Sequence, residues 1–209
     1  MLSRVVLLIC CLSGFYDAVA GQVYSSFEQV KATPEKTYVF YSHGFIVEGD
    51  NPRPVHPRWG EYDFPSVTHE LAKQGFEVIA YHRPKNIDFK SYSKVLAKQV
   101  ETLLAHGVPA NRINVLGFSR GGRITAHASH HLARSPVNTI IMAGCAAWVT
   151  KSEPWIKVNG AFLSVVEASD DVGTCQLLKN RSEGVTAYDE ININTGKEHG
   201  AFYLPLEAW

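Results

Sequence analysis

The 209-residue chain is poor in three things. It has no excess of either charge: lysine plus arginine number 20, and aspartate plus glutamate number 20. That balance gives no reason to expect nucleic acid or an anionic membrane as a partner. Its N-terminal apolar run is short. Val5 to Leu12 would span roughly 12 Å as a helix, well below a bilayer core, so no stable membrane anchor is expected. Cysteines are few: four in all, with Cys10 and Cys11 inside that run and only Cys145 and Cys175 beyond it. In an oxidising compartment the last two are an allowed pair, and their sequence positions leave a bond and two free thiols both open. There is also no internal repeat, low-complexity tract or linker. The length gives room for one sizeable core and not for two comfortable enzyme domains.

What is present begins with a leader pattern. Arg4 supplies a positive start, the apolar run follows, and Ala18-Val19-Ala20 ends it with small residues where a signal peptidase cuts. The residue before each of Cys10 and Cys11 is not small, which argues against a lipoprotein anchor. The pattern predicts a signal peptide over 1–20 and one mature domain over 21–209, secreted or periplasmic.

Apolar content of 45% and charged content of 19% are ordinary for a globular chain. Six apolar runs have strand length: Tyr38–Ser42, Phe76–Tyr81, Ile113–Phe118, Val137–Gly144, Ala161–Glu167 and Val185–Ile191. Most are continuous rather than alternating, as in strands buried on both faces of a parallel sheet. Helix-length stretches separate them. Ser66–Gln74 stops at Gly75, Tyr92–His106 stops at Gly107, and Arg120–Ala133 stops before Ser135-Pro136. Strand–helix alternation predicts the α/β class, with a mostly parallel sheet flanked by helices.

Two connections are unusually long. Ile46 to Pro65 carries four prolines and Trp59, and Cys145 to Gly160 carries Trp148, Pro154 and Trp155. Long loops with aromatics suggest ordered segments that line a pocket, with simple packing over a sheet edge as the alternative.

Between a predicted strand and a predicted helix stands Gly117-Phe118-Ser119-Arg120-Gly121, a G-x-S-x-G pattern. The flanking glycines permit a strained turn, which lifts the serine hydroxyl above the sheet at a helix N-terminus. A serine hydroxyl needs a base to activate it and an acid to orient the base. Past the fifth run come Asp170 and Asp171; past the sixth comes Gly196-Lys197-Glu198-His199-Gly200. The order serine, acid, histidine goes with this type of turn. Past the first run, His43-Gly44-Phe45 can supply a second backbone N–H for an oxyanion, from Phe45, beside that of Arg120.

The set "SHGF", "GFSRGG", "EASDD" and "KEHG" resembles the α/β-hydrolase family, among its small secreted esterase-like and dienelactone-hydrolase-like members, over most of residues 38 to 203. The resemblance implies an α/β-hydrolase fold with strand order 2-1-3-4-5-6 in the count above. It also implies Ser119 as nucleophile, His199 as base and Asp170 as acid, with an acyl-enzyme intermediate. Asp171 is the second choice for the acid and Glu167 the third. With only about fifteen residues after the run ending at Gly144, the cap is expected to be minimal. The final helix is expected to be short or absent, and one leading strand at most fits in Gln22–Val30. A Cys145–Cys175 bridge is sterically possible, since each cysteine follows the end of one of two neighbouring strands.

The remaining histidines are assigned lesser roles. His127 and His131 are four apart on a predicted helix face, but no glutamate follows His127 as in H-E-x-x-H, so no metal is expected. His43 is read as shaping the oxyanion loop and His82 as bordering the pocket. Trp59, Trp148 and Trp155 are read as its lining. The resulting expectation is a serine hydrolase acting on a small-molecule ester, with neither metal nor organic cofactor. An acyltransferase or a serine peptidase with the same three residues, and a non-catalytic binding protein on the same fold, remain open.

Overall fold

A computed structural model describes residues 20–209. The leader read from the sequence therefore lies, apart from Ala20, outside the described residues. Seven strands form one sheet: β1 Val23–Tyr24, β2 Tyr38–Ser42, β3 Glu77–Ile79, β4 Ile113–Phe118, β5 Asn138–Met142, β6 Gly160–Glu167 and β7 Val185–Ile193. Their spatial order is β1-β3-β2-β4-β5-β6-β7, and every pairing is parallel. The last six follow the 2-1-3-4-5-6 order that the resemblance implied. The leading stretch holds one edge strand, only two residues long, whose place is set by its pairing with β3.

Successive residues of a strand face opposite sides, and the two sides are covered differently. Tyr38 and Phe40 of β2 and Ile113 and Val115 of β4 meet helices α2 (Phe89–Ala105) and α3 (Arg120–His131). Leu96, Val100 and Leu103 repeat at helical spacing on α2, and all three are buried there. Each contributes on the order of 1.5–3 kcal/mol of apolar burial. Val39 and Tyr41, one residue out of phase, meet helix α1 (Phe64–Lys73) and the segment after His199. That segment is a short 3-10 turn, Glu198–Phe202, with no α-helix after it among the described residues.

Helices α1 and α2 start earlier than the sequence suggests, while α3 starts at Arg120 as expected. Asp63 caps α1 by accepting from the Ser66 N–H at 3.0 Å, so Pro65 lies inside the first turn, where its missing donor costs nothing. Asp88 caps α2 by accepting from the Lys90 N–H at 3.1 Å, one turn before Tyr92. A fourth helix, α4 (Gln176–Arg181), has only six residues, too few to show a period.

Candidate active site

The elbow between β4 and α3 is a tight backbone crossing. Ser119 sits at φ 55°, ψ −118°, a region costly for a residue with a Cβ. The glycines around it are required by space. A Cβ on Gly121 would lie 1.8 Å from the Ser42 carbonyl oxygen, and one on Gly117 would lie 2.2 Å from that of Gly121. The Ser119 N–H donates to the Met142 carbonyl at 3.0 Å, which ties the elbow to the end of β5.

Two loops from neighbouring strand ends meet this serine. Nε2 of His199 lies 2.9 Å from Ser119 Oγ, and Nδ1 of His199 lies 2.6 Å from Asp170 Oδ2. A carboxylate can only accept, so the imidazole proton sits on Nδ1 and Nε2 is left as acceptor for the serine hydroxyl. Asp170 also accepts from the Val172 N–H at 3.2 Å. The other two acids considered are placed elsewhere. Asp171 is exposed, with its charge acting on Arg58, and Glu167 is buried among donors from Ser169, Thr195 and Gly196.

The segment read from the sequence as an oxyanion donor is braced from behind. Gly44 is extended and Phe45 opens a 3-10 turn, Phe45–Val47, so the Phe45 N–H has no acceptor within its turn. Arg120 is the first residue of α3 and is in the same position. His43 is fully buried. Its Nδ1–H donates to the Gly44 carbonyl at 2.8 Å, and its Nε2 accepts from the Arg83 N–H at 3.0 Å. Burial, aided by the Arg83 charge, holds its pKa well below 6.5, so it is neutral. His82 contacts the Val47 carbonyl at 2.8 Å and braces the same turn instead of facing the cleft. The buried Glu48 carboxylate pairs with Arg120 at 2.8 Å and with the buried Arg83 at 3.5 Å. That cluster links the segment carrying Phe45 to the one carrying Arg120.

A cleft of about 220 Å³ opens over Ser119, walled by Phe45, Ile46, His56, Trp59, Phe118 and Tyr203. Among the described residues, no Asp, Glu, Lys or Arg lines it. Phe45, 59% exposed, stands at its mouth. Trp59 and Phe118 rings lie 5.2 and 4.7 Å from the His199 ring. Trp59 is fixed by its Nε1–H to Glu198 at 2.8 Å and by stacking on His56 at 4.1 Å. Burial, with the nearby Asp170 charge, pushes the Tyr203 phenol up to about 12, so it stays protonated. A larger hollow of about 670 Å³ lies beneath α1, lined by residues such as Leu116, Ile140, Leu163 and Trp209, and no serine, threonine, cysteine or histidine is among its described lining residues.

Two tryptophans read as pocket lining are not there. Trp148 is buried in a core with Ile156, Val158 and Phe162, donating its Nε1–H to the Gly144 carbonyl at 2.7 Å. Trp155 is half exposed against His127 and His130. The stretch 145–160 is thus no lid over Ser119. A disulfide joins Cys145 to Cys175, fastening that stretch to the start of α4. His127 pairs with Glu153 at 2.8 Å, and Arg123 pairs with the same carboxylate. Among the described residues, no group of three or more His, Cys, Asp or Glu is placed to hold a metal. The sequence reading missed His56 and Tyr203 as wall residues, and no local signal marks either.

No protein-family model matches the chain, and no curated protein is similar enough to match it. Solved structures do match. A YdeN-like hydrolase from Pectobacterium atrosepticum is 9% identical, with a TM-score of 0.52 over 80% of this chain and 84% of that one. A CIB-like hydrolase from Thermoplasma acidophilum is 14% identical, with a TM-score of 0.52 over 83% and 82%. Esterase PE8 is 15% identical, with a TM-score of 0.50 over 80% and 86%. Likeness at such identity establishes architecture: the chain has the α/β-hydrolase fold.

Proposed function

We propose that this protein is a serine hydrolase that cleaves small, uncharged carboxylic esters through an acyl-enzyme on Ser119. The observation that carries this reading is the relay of 2.9 and 2.6 Å from Ser119 through His199 to Asp170. In the proposed cycle His199 Nε2 takes the serine proton as Oγ bonds to the ester carbonyl carbon. The carbonyl oxygen becomes an oxyanion and accepts from the Phe45 and Arg120 N–H groups. The imidazolium, held by Asp170, then gives its proton to the leaving alcohol oxygen as the C–O bond breaks. A water molecule next attacks the acyl-enzyme and passes its proton to Nε2. The serine oxygen leaves, recovers that proton, and the acid departs. Nucleophile, base, orienting acid and oxyanion donors are all groups of this chain, so the cycle calls for no cofactor.

The cleft supports a small substrate. A volume of about 220 Å³ is below the range of roughly 300–1,000 Å³ usual for drug-sized ligands. Its apolar, uncharged wall favours a short or compact acyl group. The name of one similar structure, an esterase, agrees with an ester substrate. Hydrolysis rates across p-nitrophenyl esters of increasing chain length test this directly. Short acyl chains should be favoured; a preference for long chains would contradict the reading. The chain is also read as exported, because the leader pattern and the Cys145–Cys175 bridge both suit an oxidising compartment. Sequencing of protein recovered outside the cytoplasm should find a new N-terminus near Gly21, and an intact Met1 there would overturn it.

A further inference from the structure

The proposed acid and base both sit on loops, yet they meet at 2.6 Å. The sheet does not hold those loops. Pairing of β6 with β7 ends at Glu167↔Ile193, with one further backbone bond, from the Ala168 N–H to the Ile193 carbonyl at 2.9 Å. Beyond that point the two chains separate, one towards Asp170 and the other towards His199.

The Glu167 side chain fills the gap between them. It is 2% exposed, and its carboxylate is surrounded only by donors. From the acid loop it accepts the Ser169 N–H at 3.3 Å and the Ser169 hydroxyl at 2.9 Å. From the histidine loop it accepts the Thr195 N–H at 3.0 Å, the Thr195 hydroxyl at 2.9 Å and the Gly196 N–H at 3.3 Å. Ser169 Oγ in turn accepts from the Glu198 N–H at 3.1 Å, one residue before His199. Burial alone would push this carboxyl up, but the bonds from Thr195 and Ser169 outweigh it and hold it below its ordinary value. Its carboxylate makes no hydrogen bond to Ser119 or His199.

We propose that Glu167 is a positioning residue that joins the acid loop to the histidine loop and thereby sets the Asp170–His199 contact. Resting on the Ser119 reading above, this adds a residue that no part of the relay contains. The chemistry requires a carboxylate at this position. Every neighbour donates, and an amide would turn its own NH₂ against one of the two loops whichever way it faced.

The test compares kcat and KM on a short p-nitrophenyl ester, with active sites counted by burst titration with a serine-reactive phosphonate. Glu167→Gln should lower kcat per titrated site on the order of 10²-fold with little change in KM, the cost of a misplaced base. Thr195→Val, which removes the hydroxyl that donates to Glu167 and accepts from the Lys197 N–H at 3.2 Å, should lower it about tenfold, the order of one hydrogen bond to a charged group. Thr195→Ser should restore the wild-type value. If Glu167→Gln does not fold, the Thr195 pair carries the test alone. Unchanged kcat per site in Glu167→Gln or Thr195→Val, with only a lower melting temperature, would overturn the proposal. Ser119→Ala separates the two readings: full turnover there sinks the hydrolase assignment, whereas an inactive Ser119→Ala beside normal Thr195→Val and Glu167→Gln sinks only the positioning role.

Discussion

The loops 46–65 and 145–160 look alike in sequence, each long, each with tryptophan and proline, but they have opposite uses. The first brings Ile46, His56 and Trp59 to the wall over Ser119. It is clamped there from outside, by Arg58 and Trp59 on the Glu198 carboxylate. The second turns away from the serine and packs Trp148, Ile156 and Val158 into a core with α3 and α4. Arg181 of α4 holds it by donating to the carbonyls of Val149, Glu153 and Ile156, and the Cys145–Cys175 bridge fastens its start. Aromatic side chains in a loop therefore signal that it is ordered. What it borders is decided by partners far along the chain: Glu198 for one loop, Arg181 and Cys175 for the other.

This difference can be broken at either loop. The largest expected effect is on stability, at the second. Cys145→Ser with Cys175→Ser opens a loop with a sequence separation of 30 and should cost about 3–4 kcal/mol in denaturant melts, with kcat nearly unchanged. Ile156→Ala removes a fully buried side chain and should cost about 2–5 kcal/mol, again sparing kcat. A loss of kcat per titrated site in either variant would mean that the second loop reaches the chemistry. The first loop should behave inversely. Trp59→Ala removes a wall of the cleft beside His199 and should lower kcat/KM for short esters by roughly tenfold to a hundredfold. A variant with normal kcat/KM would place substrate elsewhere.

The smallest effect is the pH dependence of stability. A buried histidine lies beside each loop, His43 before the first and His127 against the second. Burial lowers the pKa of both, and for His43 it does so well below 6.5. Below about pH 6.5 the unfolded chain takes up protons that the folded one refuses, so stability falls as pH falls. Melts between pH 7 and 5 should show this slope, and His43→Asn should remove more of it than His127→Asn. The reverse order would contradict the stronger lowering of the His43 pKa by burial.

The candidate site residues could be picked out because they sit where buried strands end. Ser119, Asp170 and His199 each follow an apolar run, and a parallel sheet brings all such ends to one edge. The ranking of Asp170 over Asp171 and Glu167 came from its place after the strand; what sets Glu167 apart from Asp170, which lies 2.6 Å from His199, is a carboxylate already surrounded by donors, and that was not legible. For Glu167 those donors include Thr195 and Gly196, far along the chain. The same non-local dependence hid the separate placements of Trp59 and Trp148. Element α4 was missed for a simpler reason: six residues are too few to carry a period.

The central claim is that Ser119 is an activated nucleophile. Mass spectrometry of intact protein after exposure to a fluorophosphonate tests it most directly, in wild type and in Ser119→Ala. The account predicts one adduct on the wild type, mapping to the Gly117–Gly121 peptide, and none on the variant. An adduct that persists in Ser119→Ala, or a wild type that does not label at all, would contradict it.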